Sequence, residues 1–281
     1  MPELPEVETI KNELSPHVIG HRITGITLFW DRMVRQPSAE EFCSRLKGQE
    51  ISGVARRGKY LIFSLTDGEV LIFHLKMSGS LLLKPASVEP DKFTRAIIYM
   101  DEDTALHFRD PRKFGGMWLA EDKNTITGKL GPEPLKADFT PQLLTRLLNN
   151  RTAPVKALLL DQNLIAGIGN MYADEALFAA RIHPRRSGGS LSGDEIERLH
   201  HAIQHVLRTA ISNKGASINT YFRPEGGQGT AHVNFRVAHR GGKPCPICGT
   251  PIQRLPIRNR GSYFCPNCQA GAHYSLRLKG G

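Results

Sequence analysis

Four cysteines constrain this 281-residue chain more than any other feature. Cys245 and Cys248 form one C-x2-C pair, Cys265 and Cys268 form a second, and sixteen residues separate them. Thiolates repeated at this spacing can converge on a single tetrahedral zinc ion. Such a module is held folded by its metal because it is too small to hold itself by apolar burial. Iron or a redox-active pair could use the same residues, but a closed four-thiolate zinc site suits the spacing better. With every coordination position taken by sulfur, the ion would organise the fold and leave no position for a substrate. Cys43 has no partner cysteine and reads as a buried apolar side chain.

The charge distribution extends this picture. The formal net charge is +10, and after Glu225 there is no acidic residue, while Arg236, Arg240, Lys243, Arg254, Arg258, Arg260, Arg277 and Lys279 are all basic. Within the cysteine module, Arg258 and Arg260 sit on a ribbon with no opposing acid. A concentrated cationic segment suits a polyanion, above all nucleic acid, although a solubilising tail has the same composition. The first fourteen residues carry Glu3, Glu6, Glu8 and Glu13 and no long apolar run, so no secretory signal is expected. No stretch of eighteen apolar residues occurs either, and the expectation is a soluble, cytoplasmic protein.

Patterning divides the chain. Between about Ile51 and Asp110, the segments KYLIFSL, EVLIFHL and RAIIYMDEDTALHFRD alternate apolar runs with turn signals such as Asp67-Gly68. They predict two hairpins and a mainly antiparallel sheet, as a sandwich or flattened barrel. Gly131-Pro132-Glu133-Pro134 marks a change of character. Beyond it, Thr140-Pro141 opens a helix with Leu143, Leu144, Leu147 and Leu148 on one side. Ser192 and Glu195 form a capping-box signature before Ile196, Leu199, Ile203, Val206 and Leu207, and Gly215 is a natural stop. APVKALLLDQNLIAGIGNMYADEALFAARIHP between them reads as helix, compact turn and helix. Its G-x-G lacks the preceding strand that a dinucleotide site needs. His201 and His205 have i, i+4 spacing without an evident third ligand, and read as a polar helix face.

The chain begins MPELPEVETI. Pro5 fits the first turn of a helix whose Val7, Ile10 and Leu14 share one face, but a helix start does not explain Pro2 or Glu3. If Met1 were removed, Pro2 would present a secondary amine beside Glu3 and Glu6. A terminal amine titrates at about 7.7–8.0 against about 10.4 for lysine, a gap that the proline ring narrows. Such an amine can attack an anomeric carbon to give an iminium, with carboxyl groups serving as acid and base.

PELPEVET, RRGKYL, HLKMSG, RDPRKFGG, GIGNMYADE and the four-cysteine module, in that order along the chain, together resemble formamidopyrimidine-DNA glycosylase, a bacterial base-excision repair family. The resemblance implies an α+β multidomain fold: an N-terminal β-sandwich catalytic domain with a leading helix over 1–131, a helix-two-turns-helix domain over 132–240, and a zinc-finger β-hairpin over 241–281. It implies a bifunctional glycosylase and abasic-site lyase that removes oxidised purines such as 8-oxoguanine and formamidopyrimidines, acting through a Schiff base and β,δ-elimination. Damaged double-stranded DNA is the implied partner, with one structural zinc ion, a monomeric state, no obligate protein partner and no membrane.

Residue by residue, the resemblance makes Pro2 the nucleophile, Glu3 the acid/base that helps open the sugar, and Glu6 a supporting acid. Lys59 matches a lysine that reaches DNA near the reacting nucleotide, and His74 a backbone contact. Met77, Arg112 and Phe114 match a trio that fills the gap left by an extruded nucleotide. Lys156 matches a lysine near phosphate and lesion. Asn170 matches a residue that caps the second helix of the motif and binds phosphate there, and Arg260 a finger arginine that grips the phosphates flanking the lesion. Two stretches depart from the family pattern. Residues 216–230 correspond to the loop over the extruded base, and AHVNFRVAHR after them is divergent, which loosens the inference to a particular lesion; Lys76 is also unusual and could add a phosphate contact. The competing readings are an endonuclease VIII-like preference for oxidised pyrimidines, against which Leu4 and the trio argue, and a non-enzymatic zinc-finger DNA binder, which leaves Pro2 and Glu3 unused.

Overall fold

The structure, a computed structural model, describes residues 1–217 and 221–270. Residues 218–220 of the 216–230 segment, and Arg277 and Lys279 of the cationic tail, lie outside the described residues. The chain forms two compact units, one of Met1–Leu130 with Thr209–Val233, the other of Gly131–Arg208 with the residues from Asn234 onward.

The first unit opens with helix α1 (Leu4–Val18), followed by β1 (Ile23–Leu28), β2 (Val34–Gln36), α2 (Ala39–Leu46), β3 (Ile51–Arg57), β4 (Tyr60–Leu65), β5 (Val70–His74), β6 (Ser80–Pro85), β7 (Thr94–Met100), β8 (Thr104–Arg109), β9 (Gly116–Ala120) and a short α3 (Asn124–Thr127). The strands make two sheets, ordered β1-β7-β8-β6 and β2-β9-β5-β4-β3. Both expected hairpins are present, β4 with β5 across Gly68 at φ +93° and β7 with β8. All pairings in the two sheets are antiparallel except that of β2 with β9. Val34–Gln36 is too short to show alternation, which is why the sequence did not announce it as a strand.

Side chains of both sheets and of the two helices meet in one core. Leu61, Phe63, Leu71 and Phe73 come from one sheet, Leu81, Ile98, Leu106 and Phe108 from the other, and Val7, Ile10, Leu14 and Val18 from α1. Phe73 joins the layers through edge contacts to Phe63 at 5.3 Å and Phe108 at 5.9 Å. Ile62 and Ile72, on the opposite face of the five-stranded sheet, are buried too. That explains why β4 and β5 read as continuous apolar runs rather than as alternation.

The second unit contains α4 (Pro141–Leu148), α5 (Val155–Leu159), α6 (Asn170–Ala179), most of α7 (Gly193–Ser212), and the hairpin β10 (Gln253–Ile257) and β11 (Arg260–Phe264). Thr140 caps α4 by accepting the Leu143 N–H at 3.2 Å. Ser192 and Glu195 close the expected box at the start of α7, and Gly215, at φ +76°, ends the turn that follows. The two turns between α5 and α6 are stapled by Gln162. Its Nε2 donates to the carbonyls of Leu160 and Ile168, and its Oε1 accepts from Gly167 N–H at 3.0 Å. No helix among the described residues is long and apolar enough to cross a membrane.

Ile10 projects from α1 into the sandwich core and is fully buried. Ile10→Ala should lower unfolding stability by about 2–5 kcal/mol, since the lost transfer energy adds to that of the cavity, as read from a denaturant midpoint.

Candidate functional site

In the first unit the N-terminal turn of α1 is closed by its own acids. Glu3 occupies the N-cap position and Glu6 is the third helical residue. The Glu6 carboxylate accepts the Glu3 N–H at 2.7 Å through Oε2, and the Glu3 carboxylate accepts the Glu6 N–H in return. The other oxygen of Glu6 accepts the Ala216 N–H at 2.8 Å. Pro2, Glu3 and Glu6 are all buried, and a side chain at Gly215 would strike the Glu6 carboxylate at 2.9 Å. The start of the 216–230 segment is therefore fastened to the residues beside Pro2. Its later part is held by Glu13, which accepts from Arg223, and by the Pro224 carbonyl, which accepts the Leu83 N–H at 2.9 Å.

Lys59 follows Gly58 in the tight turn between β3 and β4 and is largely buried. Arg56 anchors this turn to α1 through Glu8 at 2.6 Å. Burial pushes the Glu8 carboxyl up, but hydrogen bonds from Lys11 and Arg56 outweigh it and hold the group below its ordinary range. His74, opposite Tyr60 in the ladder, is buried as well. Burial first, and then the positive charges of Lys76 and Lys59, pushes its imidazole down to about 3. The ring is neutral at pH 7. Its Nδ1 accepts the Lys76 N–H at 2.9 Å, so the ring hydrogen resides on Nε2, where it can be donated to an anion.

Met77 and Phe114 are 39% and 47% exposed, unusual values for large apolar side chains. Arg112 lies between them, its Nη1 3.4 Å from the Met77 sulfur and its guanidinium 4.8 Å from the centre of the Phe114 ring. The structure thus brings the expected trio together as a projecting wedge. Its foundation is a residue that the sequence reading did not single out, Asp110. This fully buried carboxylate accepts from the Ser78 hydroxyl, from Arg112 N–H at 3.2 Å and from Gly115 N–H at 2.7 Å. Its position within RDPRKFGG was the available signal.

In the second unit the four cysteine sulfurs lie within 4.8 Å of one another, with Cys245 to Cys268 at 3.8 Å and Cys248 to Cys265 at 3.4 Å. Tetrahedral zinc with bonds of about 2.3 Å would place its sulfurs about 3.8 Å apart, so this donor set fits one structural zinc ion. It is the one such cluster among the described residues, and His201 and His205 stand exposed outside it. Cys43 packs against the sandwich core.

Arg260 is exposed at the start of β11, directly after the turn residues Arg258 and Asn259, both at positive φ. Asn170 departs from expectation. Gly169 occupies the N-cap, Asn170 is the first helical residue, and its amide donates to the Gly261 carbonyl at 3.0 Å. The cap assignment is therefore corrected: the side chain finds a partner 91 residues away, which local spacing cannot reveal. Lys156 and Asp174 are both 0% exposed and form an ion pair at 2.7 Å. The neighbouring Glu175 accepts the N–H groups of Arg236, Val237 and Ala238, which docks these three residues of the divergent stretch onto α6.

Residues 1–117 match the family described as formamidopyrimidine-DNA glycosylase N-terminal domain, residues 130–221 its H2TH domain, and residues 242–271 the zinc finger found in FPG and IleRS. The formamidopyrimidine-DNA glycosylase of Chloroflexus aurantiacus is 47% identical over 273 residues, covering 96% of this chain and 98% of that protein. This chain belongs to the formamidopyrimidine-DNA glycosylase family. The Roseiflexus sp. formamidopyrimidine-DNA glycosylase is 43% identical over 96% of this chain and all of the relative. Among solved structures, Lactococcus lactis FPG (MutM) in complex with a FAPY-dG-containing DNA superimposes with a TM-score of 0.89 at 36% identity, covering 96% of this chain and 100% of that one. MutM (FPG) from Thermus thermophilus gives 0.87 at 38% identity, covering 96% and 99%.

Two outcomes follow. Since His74 has a depressed pKa, its neutral form adds stability that is complete above its ordinary value of 6.5 and is lost as the pH falls toward about 3. His74→Gln should flatten this part of the acid arm in a plot of melting temperature against pH. Chelation should release one zinc ion and make the chain cleavable by trypsin after Arg258 and Arg260, with proteolytic mapping as the readout.

Proposed function

We propose that this glycosylase-family chain acts on damaged double-stranded DNA as a bifunctional DNA glycosylase and abasic-site lyase that removes oxidised purines. The observation that carries this reading is the buried, acid-closed first turn of α1, with Pro2 beside Glu3 and Glu6. A helix start alone would not require two buried carboxylates at that point. The names of the relatives, and the DNA in the Lactococcus lactis complex, support the same conclusion.

Removal of Met1 frees the Pro2 nitrogen as a secondary amine. This nitrogen attacks C1′ of the extruded nucleotide, the C1′–N bond to the base breaks, and the base leaves with the proton that the Pro2 nitrogen gives up. Glu3 delivers a proton to the sugar-ring oxygen as the ring opens, giving an iminium between Pro2 and C1′. Loss of a C2′ proton then expels the 3′ phosphate, a second elimination expels the 5′ phosphate, and water hydrolyses the iminium to return Pro2 as the free amine. Glu6 keeps Glu3 and Pro2 in place, and its bond to Ala216 links them to the loop that would cover the base. Lys59, neutral His74, Asn170 and the cation of Arg260 are assigned to the DNA backbone, where phosphates accept their N–H groups. Met77, Arg112 and Phe114 fill the vacated stack, the thioether and ring by wedging between bases and the guanidinium by hydrogen-bonding the orphaned partner. The zinc ion supplies no chemistry to the reaction and holds the finger that carries Arg260.

Borohydride trapping on a duplex with one 8-oxoguanine tests the reading. The protein with processed N-terminus should form a covalent adduct whose sugar maps to Pro2, and Pro2→Gly should abolish it. Glu3→Gln should slow base excision by roughly 10²–10⁴-fold while affecting cleavage at a preformed abasic site less. A trapped sugar on any other residue, or unchanged excision by Glu3→Gln, would overturn the assignment.

A further inference from the structure

Lys156 cannot be explained by its charge alone. Its ammonium lies 2.7 Å from Asp174 Oδ1 and donates to Ser262 Oγ at 2.8 Å and to the Gly261 carbonyl at 3.2 Å. With side chains at 0% exposure, the pair is closed to solvent. The acceptors are also specific in kind, since two of them belong to β11, immediately after Arg260. The Asn170 amide takes the same Gly261 carbonyl at 3.0 Å, and Asp174, one helical turn further along α6, accepts the Tyr263 N–H at 3.1 Å through Oδ2. Three side chains from α5 and α6 thus hold three consecutive residues of the finger strand.

Stability alone does not account for such a device. A buried ion pair loses so much hydration that apolar residues of similar volume are often as stabilising or more so. Directional bonds to Gly261, Ser262 and Tyr263 instead specify the position of the strand along α6. We propose that Lys156, with Asp174, is a positioning residue: the pair clamps the finger strand so that the exposed Arg260 is presented in one fixed geometry, and Lys156 acts on DNA only through that arginine. This inference rests on the proposed role of Arg260 as a phosphate grip.

The test uses zinc-loaded full-length protein, a duplex carrying a tetrahydrofuran abasic-site analogue, and three variants: Lys156→Met, Arg260→Ala and the two combined. Each single variant should weaken binding by roughly ten- to hundredfold, the worth of charge-assisted hydrogen bonds. The double variant should be within about twofold of Arg260→Ala, because a clamp has nothing left to position once the arginine is gone. In the DNA-free protein, Lys156→Met should also speed amide hydrogen exchange at residues 260–263 with zinc content unchanged. Multiplying losses in the double variant, with a salt slope reduced by about 0.9 in Lys156→Met, would mean that Lys156 itself meets a phosphate and would overturn the clamp. Unchanged exchange at 260–263 would overturn it as well. If Arg260→Ala bound DNA normally, the grip would fail and so would the route from Lys156 to DNA, with the exchange data still deciding whether the clamp itself exists. Should Lys156→Met lose zinc or fail to fold, Ser262→Ala, which removes a single acceptor, takes its place in the same cycle with the same expected pattern.

Discussion

The Glu6 carboxylate divides its two oxygens between the Glu3 N–H and the Ala216 N–H, and the placement of the first residues of α1 beside residue 216 depends on that division. Buried and flanked by Pro5 and Val7, this carboxyl group exchanges hydration for backbone donors, one of them the Glu3 N–H at the open end of α1. The same bonds reduce the freedom of a terminus that would otherwise fray. They also tie the start of the 216–230 segment to the position of Pro2, so the proposed nucleophile and the proposed cover of the base share one anchor. Tyr221 adds to it from within the sandwich core, where burial, followed by the charges of Glu6 and Glu13, raises its phenol and keeps it neutral.

The second unit follows an analogous principle on α6. Asp174 holds the finger strand through Tyr263, Glu175 gathers the N–H groups of residues 236–238, and Phe178 packs with Val237, Cys245, Ile252 and Cys265. Burial pushes both carboxyls upward in pKa, and each is drawn back by the partners that use it, Lys156 for Asp174 and the three N–H groups for Glu175. Zinc closes the finger internally and α6 registers it externally. Neither alone would define where Arg260 points.

In the first unit, the residues proposed to meet DNA combine two kinds of group. His74 stays neutral because burial and neighbouring lysines disfavour a further charge, and so it offers a directed N–H rather than a diffuse field. Met77 and Phe114 remain exposed because Asp110 fixes the loop beneath them, and no room exists for side chains at Gly79 and Gly115, where an added carbon would meet the Leu75 carbonyl at 2.5 Å and the Phe108 ring at 2.7 Å. These side chains are thus held exposed by the loop itself, and in the proposed role as a wedge that would lower the ordering cost of binding.

Much of this was legible in the residues themselves. The cysteine spacing defined the metal site, the apolar runs defined the hairpins, Ser192 with Glu195 marked a helix start, and the ordered motifs pointed to the family, because each signal is local or repeats at a short period. Partnerships across long separations in sequence were not legible. Asn170 read as a cap and became a ligand of Gly261, Lys156 matched a lysine near phosphate and lesion and is paired internally with Asp174, and Asp110 and Asp174 attracted no notice. The sequence alone determined the principal hairpins and helices, the family and the four metal ligands, since propensity, capping and metal-ligand spacing act over a few residues. Tertiary structure decided which polar groups face solvent and which spend their hydrogen bonds inside, because burial and partner geometry arise only when distant segments pack.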